Sequence, residues 1–444
     1  QAIHAMSAAR TPASCGEFND DLDRRRRRIR ALPKIELHAH LNGSLRLATL
    51  FELHAALQPA STSSQSSGAC SPLLGSSSCR TLTPPRQSSS PGRERAAQSS
   101  SSSSASPTIL GVVSAESFTI PTLDHCLSMQ ECFALFPMIH AVTTSVDVIR
   151  RIAREVIEDF AAENTRYLEL RTTPRACLES GMTKRSYLEA VITELQRCNA
   201  DPSLRIQTRL LVSVNRAQSE ADAHENVALA IEFRDRFPAV ARNALEPLTC
   251  VTKPVNPTCS SESETKRTKP SASDSSIVVG VDLSGNPKAP VCPGHLDALR
   301  RARRAGLPLT VHVAEVSTQA DTEQLVALQP GRLGHATFLS DCQASHRAVL
   351  ETPIPLEVCL TSNLKSKTVA NLQDHHVVEY LKAKHPLSLC TDDMGVFQTS
   401  LTEELSLAHF ELGLSIADLA TMQRAAIEFS FADEQTKAAL RSQM

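Results

Sequence analysis

Apolar positions along this chain alternate between two spacings. Residues 145–163 set Val146, Ile149, Ile152, Ala153, Val156, Ile157 and Phe160 on one face of a 3.6-residue period, which predicts an amphipathic helix. Directly after it, Tyr167-Leu-Glu-Leu-Arg-Thr172 reads as a strand. The same alternation recurs. Helices are predicted at 45–57, 183–198, 224–237, 294–305, 320–328, 343–351 and 373–383. Strands are predicted around 35–40 and at 208–214, 278–284, 309–315, 331–336, 355–360 and 387–391, with further helices from 402 onward. Eight strands separated by helices imply parallel pairing, and eight suffice to close a ring. The expected fold is therefore α/β, a TIM-type (β/α)8 barrel with extra helices. The competing open, doubly wound sheet is disfavoured because no G-x-G-x-x-G or Walker loop follows an early strand.

Two stretches break the rhythm. Residues 58–107 collapse into Ser, Pro and Gly, with an unbroken serine run at 99–104, and 250–276 is similarly polar. Such segments bury too little apolar surface to offset their ordering entropy, so both are expected to be disordered low-complexity insertions. Residues 1–30 are polar and end in the basic run Arg24 to Arg28, expected as a tail before a barrel spanning 31–444. The formal net charge of -2 gives no electrostatic case for nucleic acid or anionic membrane. No apolar run approaches the roughly 20 residues needed to span a bilayer. Thirteen cysteines without a C-x-x-C suggest reduced thiols. The expectation is a cytoplasmic monomer, the arginine run leaving a nuclear address open.

In such barrels the chemistry sits at the carboxyl ends of the strands. Strand one ends in His38 and His40, whose i, i+2 spacing aims both imidazoles to one side. Strand five carries His312 and then Glu315, strand six ends in Gly334-His335, and strand eight runs into Asp392-Asp393. Each alone has a plain reading: a loop histidine, a solvated turn, a helix cap. Together they place polar groups at four strand ends where packing asks for none. Three imidazoles and a carboxylate suit zinc, so His38, His40, His312 and Asp392 are the expected ligands of one Zn2+ per chain. Glu315, beyond its ligand neighbour, suits proton transfer, and His335 and Asp393 remain to orient or polarise. Strand alternation predicts that Asp392 and Asp393 point opposite ways.

The runs Leu-His-Ala-His-Leu-Asn-Gly, Val-His-Val-Ala-Glu, Gly-His-Ala and Thr-Asp-Asp resemble the adenosine/AMP deaminase family of zinc amidohydrolases. Within it the chain is most similar to the adenosine deaminase-like N6-methyl-AMP deaminases. Its branch markers are Asn42, Tyr167-Leu-Glu-Leu-Arg-Thr-Thr-Pro-Arg175, Asp282-Leu-Ser-Gly285 and Leu360-Thr-Ser-Asn363. The resemblance implies zinc ligands His38, His40, His312 and Asp392, with Glu315 as proton donor to purine N1 and His335 holding the attacking hydroxide. It also implies substrate contacts from His40, Asn42, Gly285 and Asp393, and a nucleotide pocket of Thr172, Thr173, Pro174, Arg175 and His140. Two hydroxyls and an arginine at a strand end also make a phosphate cradle on bare chemistry. Asn215 departs from the branch, which carries aspartate there, and a substrate contact at that position loses its charge. The implied activity is hydrolysis of a purine 5′-monophosphate, N6-methyl-AMP to IMP and methylamine. A deaminase of free adenosine and a silent zinc- and nucleotide-binding protein are the alternatives.

Overall fold

The computed structural model describes residues 12–57, 129–237 and 276–444. Insertion 58–107, and insertion 250–276 up to its last residue, lie outside the described residues. Eight parallel strands form one sheet in chain order: β1 (Lys34–His40), β2 (Thr165–Thr172), β3 (Gln207–Asn215), β4 (Val278–Ser284), β5 (Leu309–Val313), β6 (Arg332–His335), β7 (Leu356–Val358) and β8 (Leu387–Leu389). A single parallel bridge between Ala39 and Asp392 joins the last strand to the first. It is reinforced by His40 N donating to Asp392 O at 3.0 Å and Asp392 N to His38 O at 2.8 Å. The expected barrel is therefore present, nearly closed, with its closing stitch at the ends of β1 and β8.

Before and after β1 come α1 (Pro12–Ala31) and α2 (Leu47–Leu57), followed by α3 (Met129–Val142) and α4 (Val146–Ala162). The crossovers are α5 (Lys184–Ala200), α6 (Glu220–Arg236), α7 (Pro293–Arg304), α8 (Gln319–Ala327) and α9 (Gln343–Glu351), then α10 (Leu360–Lys365) and α11 (Val377–Lys382). The chain continues through α12 (Met394–Phe397), α13 (Leu401–Phe410), α14 (Ile416–Phe429) and α15 (Glu434–Arg441). In α4 the predicted stripe is the buried one: Ile149, Ile152, Ala153, Val156, Ile157 and Phe160 face the sheet, and the Ser145 hydroxyl caps its first turn by accepting from Val148 N. Each such aliphatic side chain removed from water contributes about 1.5–3 kcal/mol.

Two expectations are corrected. The residues read as a polar tail include a helix, α1, whose Ile29 is fully buried in the main core. The amine of Lys34 secures its end by donating to Arg30 O, Leu32 O and Glu163 O at 2.8, 3.0 and 2.6 Å. The exposed arginines hid this, since one buried residue among them leaves no periodic signal. The second correction concerns β5 to β8, which stop sooner than predicted; the 355–360 strand ends at Val358, and Leu360 opens α10. The backbone at these ends turns left-handed, with φ of 52° at Ala314, 59° at His335, 55° at Ala336 and 60° at Asp392. The residues that follow bend into the barrel mouth instead of extending the sheet.

The inside of the barrel is ionic where aliphatic layers are usual. Glu36, Glu169, Arg171, Asp282, Arg332 and Glu357 are all completely buried. Arg332 donates to Glu169 and, at 2.6 Å, to Glu357, and its guanidinium lies 3.7 Å from the centre of the Phe431 ring. The main chain at the end of α14 closes over this cluster: Phe429 O accepts from Arg332 at 2.8 Å, and Phe431 N donates to Glu169.

Candidate active site and metal centre

Four side chains meet where β1 and β5 end and β8 closes onto β1. One donor atom from each of His38, His40, His312 and Asp392 lies within 4.8 Å of the others. His40 Nε2 and His312 Nε2 are 3.0 Å apart, and Asp392 Oδ1 is 3.3 Å from His38 Nε2 and 3.4 Å from His40 Nε2. Ligands about 2.0–2.1 Å from one zinc ion stand about 2.9–3.4 Å from each other at ordinary coordination angles.

The far sides of two rings are already committed. His38 Nδ1 faces Glu357 Oε2 at 2.7 Å, and His312 Nδ1 faces Asp282 Oδ1 at 3.1 Å and Leu283 O at 2.9 Å. An acceptor behind Nδ1 fixes the proton there and turns the Nε2 lone pair toward the common point. His38 Nε2 is buried with no hydrogen-bond partner among the described residues, a cost a metal ion would remove. The donor set of imidazoles and one carboxylate therefore fits a borderline-soft divalent cation.

The charge states agree at His40 and Asp392 and differ at His38. Burial and His312 hold His40 well below the usual histidine range, so it is neutral. Asp392 is held well below the carboxylate range: burial opposes ionisation, but His335 and His38 outweigh it. Burial and Arg171 push His38 down, yet the carboxylates of Asp392 and Glu357 prevail and raise it to about 9. A metal ion taking its Nε2 would displace a proton.

A cavity of about 370 Å³ opens onto this group. Its walls include His40, Asn42, His140, Thr172, Thr173, Arg175, Asn215, Gly285, Glu315, His335, Asp392 and Asp393. Pro174 is buried and does not line it. Glu315 Oε2 and Asp392 Oδ2 each lie 3.8 Å from His335 Nε2. Burial lowers His335 to about 4, so its imidazole is neutral. Asp393 is raised well above the carboxylate range by burial and by Asp392 beside it. The expectation that the two acids face opposite ways fails, because the left-handed turn at Asp392 puts both on the cavity.

On the opposite wall, the Tyr187 hydroxyl bonds Thr172 Oγ1 at 2.7 Å and accepts from Asn42 Nδ2 at 3.3 Å. Arg175 donates to Thr143 Oγ1 at 2.9 Å and His140 O at 3.3 Å, and has no carboxylate partner among the described residues. Asn215 spends its Oδ1 on Ala217 N at 2.8 Å. Gly285, at φ 100°, admits no side chain there, since a Cβ would lie 2.1 Å from that same oxygen.

Sequence reading missed the residues behind the donors, Glu357 and Arg171 above all, and did not assign Asp282 a role. Their signal was a charged residue at an inward position of an otherwise apolar strand. Gly334 was also missed as a constraint: a Cβ there would sit 2.9 Å from His38 Cε1, with the His312 backbone behind it. Gly334→Ala should tilt the His38 ring and lower the metal retained per chain after dialysis, measured by elemental analysis. Full metal content in that variant would show that the ring has room to spare.

Residues 111–241 and 244–444 match the family model described as adenosine deaminase, a match that begins after β1. The N6-mAMP deaminase of Arabidopsis thaliana is 34% identical over 433 residues, covering 93% of this chain and 96% of its own. The N6-methyl-AMP deaminase of Danio rerio is 33% identical, covering 92% and 93%. A crystal structure of Arabidopsis ADAL complexed with IMP superposes with a TM-score of 0.67 at 34% identity, covering 93% of this chain and 96% of that one.

Proposed function

This chain belongs to the adenosine deaminase family, and from that premise we propose that it hydrolyses N6-substituted purine 5′-monophosphates, releasing methylamine from N6-methyl-AMP to leave IMP. The observation that carries the reading is one cavity lined by members of the four-donor metal group, by Glu315, and by Arg175, which has no carboxylate partner among the described residues.

Zinc held by His38, His40, His312 and Asp392 would supply a Lewis acid that brings a water's pKa towards about 7. Glu315 gives a proton to purine N1, so that the ring can take up the added oxygen at C6. Neutral His335 orients that oxygen, its Nε2 lying 3.8 Å from both Glu315 and Asp392. Asp393, kept protonated, donates to a ring nitrogen of the purine, and the Gly285 backbone leaves the base room to approach. Water and N6-methyl-AMP are consumed, and IMP and methylamine leave.

Thr172, Thr173 and Arg175 form the cradle for the 5′-phosphate, with His140 beside them. Asn215 makes at most a neutral contact, its oxygen being engaged by Ala217. We take the chain from α1 onward as one deaminase barrel interrupted by 58–107 and 250–276, each chain carrying a complete site and therefore active as a monomer. No helix among the described residues is long and apolar enough to cross a membrane. The free thiols fit a reducing compartment such as the cytoplasm.

The test is a panel of N6-methyl-AMP, AMP and adenosine assayed with wild type and Arg175→Met. Charge-assisted hydrogen bonds at about 1.5–3 kcal/mol give the monophosphate an advantage of roughly 10- to 150-fold. Arg175→Met should raise KM for N6-methyl-AMP by that factor and leave adenosine unaffected. A wild type that prefers adenosine would make this a nucleoside deaminase. Zinc-loaded protein that binds nucleotide but releases no amine would make it a binding protein.

A further inference from the structure

The metal donors do not stand independently: the structure joins two of them through one buried guanidinium. Arg171, on β2 and completely buried, donates from Nη1 to Asp282 Oδ1 at 3.1 Å and from Nη2 to Glu357 Oε2 at 2.9 Å. These are the same two oxygens that face His312 Nδ1 at 3.1 Å and His38 Nδ1 at 2.7 Å. Nη2 also reaches Leu37 O, the carbonyl preceding His38. One rigid fork thus spans β4, β7 and β1, and each of its prongs shares a carboxylate oxygen with a different imidazole.

We propose that Arg171 is a positioning residue for the metal centre, setting the orientation of His38 and His312 together through Glu357 and Asp282, and so setting metal affinity. The inference rests on the four-donor metal reading above. A carboxylate behind an imidazole is useful only if it is fixed; with the imidazole as its sole partner on that oxygen it would be free to turn. Arg171 supplies charge to both acids and a fixed separation between them, which a point charge on a flexible stem does not. The remaining oxygens are held from elsewhere: Ser213 Oγ donates to Asp282 Oδ2 at 2.8 Å, while Arg332 and Thr310 occupy Glu357 Oε1 at 2.6 and 2.9 Å. Arg332 therefore binds the oxygen that no imidazole shares, which makes it a control of equal burial and charge.

The experiment uses full-length protein stripped of metal and titrated with Zn2+ against a chromophoric chelator, with Tm of the stripped form recorded in parallel. Arg171→Lys keeps the charge but not the fork, and Arg171→Gln keeps one prong. Losing support behind two ligands should weaken Zn2+ binding by about 10- to 100-fold or more. Arg332→Lys should lower Tm comparably with a smaller loss of affinity. In the Co2+-substituted protein, the visible ligand-field bands should shift for the Arg171 variants and hold for Arg332→Lys. Wild-type affinity in a folded Arg171 variant, affinity that merely tracks Tm across all three, or failure of both Arg171 variants to fold even with zinc would each overturn the assignment. If wild type itself takes up no zinc, the metal reading fails and not the role of Arg171 alone.

Discussion

Glu315→Gln should hold as much zinc as wild type and turn over N6-methyl-AMP about 10²- to 10⁴-fold more slowly. The chain reaches Glu315 through the left-handed turn at Ala314, which carries its carboxyl past the end of β5 and onto the cavity. It is not among the four clustered donors, so an amide of the same shape leaves them in place. What is lost is the acidic proton, and without it negative charge accumulates on the purine as C6 is attacked. The effect belongs in kcat with KM nearly constant, because the missing interaction arises only in the transition state. A variant with full metal content and near-normal kcat would remove Glu315 from the proton path.

Glu357→Ala should be the most damaging change to the fold. Four donors converge on this carboxylate: Arg332 Nε and Thr310 Oγ1 on one oxygen, Arg171 Nη2 and His38 Nδ1 on the other. Two guanidinium charges balance it, and burial removes any water that could replace it. Removing one partner from such a buried cluster costs about 3–5 kcal/mol, against a total of about 5–15 kcal/mol for a typical protein. Thermal melting should therefore begin several degrees lower and protein yield should fall, with metal retention falling alongside. Glu357→Gln keeps the volume and one acceptor, and its smaller loss would separate missing charge from missing bulk. An alanine variant that melts at the wild-type temperature with full metal would mean that water enters the barrel freely.

The contrast between Glu315 and Glu357 shows what this sequence discloses. Glu315, His335 and Asp392-Asp393 interrupt apolar runs at their ends, where a polar residue has no packing reason to be, and that oddity can be read without coordinates. Glu169, Arg171 and Glu357 alternate with apolar residues inside strands, which reads equally well as a sheet with one wet face. Only ring closure turns that face inward and makes it an ion cluster. The strand count came through because helix and strand periods differ sharply. The strand ends did not, because the left-handed backbone at Ala314, His335 and Asp392 is uncommon outside glycine and leaves no mark in the apolar pattern. Helix α1 was missed for a different reason: among its described side chains, Ile29 is the one buried in the core.

The barrel's foot is closed by its latest-made residues. Gln423 in α14 accepts from Ile35 N at 2.7 Å, and the main chain at Phe429 and Phe431 grips Arg332 and Glu169 under the ion cluster. Strand β1 pairs along its length with β2, yet its Ile35 N is satisfied from α14, 388 residues further along the chain. His40 faces His312 across 272 residues of chain, so the four-donor group exists only once distant parts of the barrel have come together. A premature stop in α14 would yield a polypeptide that keeps every ligand yet has no floor beneath them.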